Sequence, residues 1–132
     1  MQRGSIKYVF MKKIIILALL TIMGFNVALN AQESISYIKD TGSWFYVYND
    51  KGKKITTMSN SSKNLVGWGS DFFIVETSSW FYIYDMYGKK INVLSNSYGK
   101  IVSVSANTFT MEKGSWLYIY SREGKKIKTM SK

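Results

Sequence analysis

The sequence predicts an all-β protein made of three 36-residue, four-stranded antiparallel meander repeats. Three observations carry this. First, "GSWFYVYNDKGKKITTMS" from Gly42 returns as "SSWFYIYDMYGKKINVLS" from Ser78 and as "GSWLYIYSREGKKIKTMS" from Gly114, placing Trp44, Trp80 and Trp116 at equal steps of 36 residues. Second, from Ser34 onward short apolar runs alternate with turn residues, and no stretch holds a helical period. Third, Gly52, Gly88 and Gly124 each stand just before a Lys-Lys pair. A three- to four-residue hairpin loop with Gly in the left-handed conformation accounts for "NDKG", "DMYG" and "SREG", where a Cβ would be strained.

The elements follow in order. In the second repeat, Phe72 to Glu76 reads as a strand, "TSS" as a turn, Trp80 to Tyr84 as a strand and "DMYG" as a turn. Lys89 to Leu94, "SNSYG" and Lys100 to Ser105 complete it. Divided by period, the repeats are 34–69, 70–105 and 106–132. Nothing before Tyr37 matches the "NLVGWG" or "KIVSVS" strand, so eleven strands are expected. Side chains alternate along each strand, setting Trp80, Tyr82 and Tyr84 on one face and Phe81 and Ile83 on the other. Neither face is charged, which predicts sheets covered on both sides. The small residues of "NLVGWG" and "KIVSVS" suit places where neighbouring backbones converge.

The segment 1–31 reads as a signal peptide. Arg3, Lys7, Lys12 and Lys13 precede an apolar centre from Ile14 to Leu20, and Ala31 is a small residue suited to cleavage before Gln32. The apolar run contains Gly24 and Asn26 and is shorter than the ~20 residues of a spanning helix. A secreted or periplasmic protein is therefore expected, its single all-β domain spanning 32–132 with no membrane span after cleavage. The leader takes four of the 18 basic side chains and none of the 8 acidic ones, leaving 14 against 8. All but Arg122 of those 14 are lysine. Scarce arginine and export argue against nucleic acid as a partner. The chain has no Cys, so no disulfide framework exists.

With those turns in place, "IVSVSANTFTMEKGSWLYIYSREGKKIKTM" resembles propeller-blade repeats of the WD and quinoprotein type. "W-x-Y-x-Y…GK" is similar to the WG-type repeats of bacterial proteins. The resemblance spans Ser34 to Lys132, although no Trp-Asp dipeptide is present. It implies propeller-blade-like architecture and no activity. Three repeats are fewer than the roughly 4 to 8 blades of a propeller. The alternatives are two chains sharing a six-bladed ring, a β-trefoil, or a β-prism. The positions of a β-prism lectin's sugar motif carry Glu76, Ser78, Trp80, Tyr82 and Tyr84, of which only the last matches, so that motif implies no mannose site here.

Three sets of residues are candidates for function. Trp44, Trp80 and Trp116 either pack between sheets, the expectation for a repeated core, or present a rim that stacks on sugar rings or anchors a partner. Lys53, Lys54, Lys89, Lys90, Lys125 and Lys126 form three equivalent basic pairs, which either guard strand ends or hold an anionic ligand. Asp40, Glu76 and Glu112 recur before each Trp, yet threefold equivalence suits neither the acid nor the base of a hydrolase. With no His and no Cys, no catalytic residue, metal site or cofactor is expected. The expectation is a non-catalytic binding module for a glycan or other surface ligand. The alternative is a structural or protein-interaction module that forms homo-oligomers through its β repeats.

Overall fold

A computed structural model describes residues 33–132; the leader expected over 1–31 lies outside the described residues. Strands β1 (Ile35–Asp40), β2 (Trp44–Asn49) and β3 (Lys54–Ser59) form the first sheet. The second contains β4 (Asn64–Trp68), β5 (Phe72–Glu76), β6 (Trp80–Asp85) and β7 (Lys90–Ser95). The third contains β8 (Lys100–Val104), β9 (Thr108–Lys113), β10 (Trp116–Ser121) and β11 (Lys126–Ser131). All pairings are antiparallel between chain neighbours, so each sheet is a meander. The described residues thus hold eleven strands and one 3-10 turn, Asn96–Tyr98. No closed barrel forms among them, and the trefoil alternative falls.

One grouping differs from the expected one. Lys100–Val104 pairs with β9 and opens the third sheet instead of closing the second. The sheets therefore divide between 59 and 64 and between 95 and 100, out of phase with the periods 34–69, 70–105 and 106–132. The break between β7 and β8 is the 3-10 turn ending at Gly99, φ 144°. That turn passes the chain from one sheet to the next.

The glycine turns form as expected. Gly52, Gly88 and Gly124 have φ of 77°, 87° and 82°. The residue three before each supplies the side-chain lock. Asn49 Oδ1 accepts from the amides of Lys51 and Lys53, both at 2.9 Å. Asp85 Oδ1 accepts from those of Tyr87 and Lys89 at the same distance. Ser121 Oγ accepts from Lys125 at 3.3 Å.

The sheets stack face to face. Phe45 and Val47 of β2, with Ile38, bury against Phe73 and Val75 of the second sheet, flanked by Tyr82 and Tyr84. Phe81 and Ile83, from the other face of that sheet, bury with Phe72 and Ile74 against Phe109, Met111 and Tyr120 of the third. The middle sheet is thus covered on both sides, as its uncharged faces require. The outer sheets are covered on one side only, which corrects the expectation of double coverage throughout. The stack ends there, leaving Tyr46 and Tyr48 half-buried on the first sheet and Leu117 and Ile119 half-buried on the third.

Close approach of the edge strands β4 and β8 supports the stack. A Cβ on Gly67 of β4 would sit 3.0 Å from Val104 Cγ2 of β8. Ile35 N donates to Ser70 O at 2.7 Å, and Ser70 N donates to Ala106 O at 2.9 Å, linking the three sheets at one end. Trp68, which has Val104 as its counterpart in the next repeat, meets Tyr37 of the edge strand β1 edge-on at 6.0 Å. The loss of repeat symmetry at 68 therefore falls beside the sheet that has three strands.

Candidate functional site

Each candidate Trp begins the second-to-last strand of its meander, just after a tight turn. Thr41 N donates to Trp44 O and Thr77 N to Trp80 O, both at 2.9 Å; Trp44 N donates to Thr41 Oγ1 at 3.0 Å. The recurring acids are absorbed into this scaffold. Asp40 Oδ1 accepts from Asn60 Nδ2 at 2.7 Å and Gly42 N at 2.8 Å. Glu76 accepts from Asn96 Nδ2 at 3.1 Å, and Glu112 pairs with Lys132. Positions 40, 76 and 112 thus each fasten the residue 20 positions later, at the end of the outer strand. The hydrogen bond from Lys132, and then its charge, hold the Glu112 carboxyl below the usual carboxylate range. These bonds give each of the three acids a partner within the scaffold.

The three tryptophans are not packed between sheets. Their exposures are 46%, 45% and 48% for Trp44, Trp80 and Trp116. This corrects the expectation of burial, and the equality of the three values matters. Tyr82 and Tyr118 sit on covered faces and Tyr46 on an open one, yet the Trp of all three sheets is equally exposed. Trp exposure is therefore a property of the rim and not of the unfinished ends of the stack.

The structure joins the lysines to the tyrosines instead. Lys54, Lys90 and Lys126 place their Nζ over the rings of Tyr46, Tyr82 and Tyr118 at 4.2, 5.7 and 4.6 Å. A register shift beside each Gly turn pairs Lys54 with Tyr48, Lys90 with Tyr84 and Lys126 with Tyr120, turning the lysine onto the ring face. Trp44 pairs with Ser59 at the opposite end of the same hairpin, so Trp and Lys pair do not meet on one rim. Lys53, Lys89 and Lys125 are exposed beside the turns.

A cleft of about 370 Å³ lies where the 3-10 turn meets the third sheet, lined by Tyr98, Lys113, Tyr118, Tyr120 and Lys126. Its chemistry is two ammonium groups beside three phenol rings. Tyr98 and Lys113 were not among the sequence candidates. Both depart from the repeat, since Ser62 precedes Tyr98 by one period and Thr77 and Thr41 precede Lys113 by one and two. That departure was the available signal. Lys113 Nζ donates to Ser97 O at 2.8 Å, which closes one wall. Among the described residues no group of three or more metal-ligating side chains occurs, and no helix is long and apolar enough to cross a membrane. No family model, no curated protein and no solved structure matches the chain.

Two phenols are perturbed. Burial, followed by the neighbouring Tyr82, raises the Tyr84 pKa; burial, followed by Tyr98 and Tyr118, raises that of Tyr120. Because the folded state holds these protons more tightly, the associated stability is complete below about pH 10 and is lost as pH rises through the raised values. A phenolate absorbance titration should show two tyrosines ionising late, together with alkaline unfolding. Tyr84→Phe should remove one of them. Ordinary titration of every tyrosine while the fold persists would refute the assignment.

Proposed function

We propose that this protein is a non-catalytic binding module for an anionic glycan, exported from the cell, with its tryptophan rim as the contact surface. The observation that carries the proposal is the equal, near-half exposure of Trp44, Trp80 and Trp116 on covered and uncovered sheets alike. Large aromatic rings held at a surface by rigid strands suit stacking on sugar rings. Three equivalent platforms allow several units of one polymer to bind together, so weak contacts add. The preference for acidic sugars follows from the excess of lysine and from Lys113, which pairs with Trp116 at the rim.

The test is affinity electrophoresis through gels holding an acidic polysaccharide such as alginate, or a neutral one such as mannan. Alginate should retard the protein more than mannan. Each Trp→Ala change should weaken retention at least about tenfold, or ~1.4 kcal/mol per site. Triple replacement of Trp44, Trp80 and Trp116 should abolish retention with the far-ultraviolet circular dichroism unchanged. Equal migration of wild type and triple variant in every gel would remove the proposal.

A further inference from the structure

The two end faces of the stack are counterparts of surfaces already mated twice within the chain. The first sheet offers Phe45 and Val47 to the Tyr82 and Tyr84 face of the second. The second offers Phe81 and Ile83 to the Tyr118 and Tyr120 face of the third. One period further, the offering residues are Leu117 and Ile119 and the receiving ones are Tyr46 and Tyr48. Among the described residues no sheet covers either set. Ile127 makes the point most sharply. Its counterparts Ile55 and Ile91 pack against the clusters that join their sheets to the next, whereas Ile127 is 59% exposed.

The turns repeat the same relation. A Cβ on Gly88 would lie 3.7 Å from Thr56 of the preceding sheet, and one on Gly124 would lie 2.6 Å from Asn92 Nδ2. Asn92 Nδ2 donates to Glu123 O of that turn at 2.9 Å. The next residue in this series is Lys128, a donor, and the turn it would meet is that of Gly52, which has nothing within 4 Å.

We propose that the third sheet of one copy docks on the first sheet of a second copy, and that two copies close reciprocally into a ring of six sheets. Leu117, Ile119 and Ile127 cover Tyr46 and Tyr48 of the other copy, and Lys128 donates to the Lys51 carbonyl in its Gly52 turn. The occupant is a second copy because only this chain is shown to carry both halves of the fit, used twice internally. A head-to-tail contact must either close or propagate. Six sheets fall within the roughly 4 to 8 blades that close around an axis. Closure leaves no apolar face in water, whereas a free stack leaves two. The tryptophan rim lies outside this contact, so the inference stands independently of the glycan proposal.

The experiment is light scattering on a sizing column, with the protein purified in the form that expressing cells accumulate. The wild type should elute at twice its protomer mass. Ile127→Asp changes a residue exposed in the single chain, so the fold does not depend on it. Tyr46→Asp changes the opposite face. Each should convert the dimer to monomer while the far-ultraviolet spectrum stays unchanged. A wild-type monomer, a dimer that survives either substitution, or a mass that climbs past two copies with concentration would overturn the proposal.

Discussion

Phe73→Ala is expected to lower the free energy of unfolding by about 3–5 kcal/mol. Phe73 is fully buried, stacks on Tyr84 with ring centroids 5.5 Å apart, and belongs to the cluster that joins the first two sheets. Its loss opens a cavity between two strand layers whose positions are set by backbone pairing on either side, so collapse is restricted. A domain of this size has only about 5–15 kcal/mol of stability, so the variant should lose a large share of it. Urea unfolding followed by tryptophan fluorescence measures the change. A shift below about 1 kcal/mol would mean that the sheets repack freely and that the stacked arrangement is wrong.

Much of this architecture was legible in the spacing of a few residues. The 36-residue steps of Trp44, Trp80 and Trp116 with their trailing glycines located the hairpins, because a left-handed Gly and a two-residue side-chain alternation are local requirements. Strand grouping was less legible. Lys100–Val104 follows β7 closely, and only the 3-10 turn at Asn96–Tyr98 shows that it belongs to another sheet. Coverage was not legible either: Phe45, Phe81 and Leu117 occupy one position of the repeat, but among the described residues only the first two find a facing sheet. The contact of Lys54 with the Tyr46 ring accompanies a register shift that no spacing rule reveals. The recurrence of acids at 40, 76 and 112 was legible, but not their partners 20 residues later, which lie across the hairpins.

Gly69→Ala is the second severe change expected, and its cause is space, not backbone conformation. Gly69 is not among the positive-φ glycines, so an alanine would meet no conformational penalty there. Its Cβ, however, would stand 2.4 Å from Ser105 O, 2.7 Å from Ala106 O and 2.1 Å from Phe72 Cε1. The Phe72 ring could turn, at the expense of the cluster it anchors. The two carbonyls could move only by parting the adjoining turns of the second and third sheets, where Ser70 N donates to Ala106 O. Overpacking of this kind costs about 1–3 kcal/mol where side chains can yield, and more where backbone must. A loss of ~3 kcal/mol or more in urea unfolding is expected. Gly42→Ala is the matched comparison. Gly42 has φ of 90° and open space around its Cβ, so only the left-handed penalty of about 1–2 kcal/mol applies. If the two variants lost equal stability, the turns at Gly69 and Ser105–Ala106 would not be in contact.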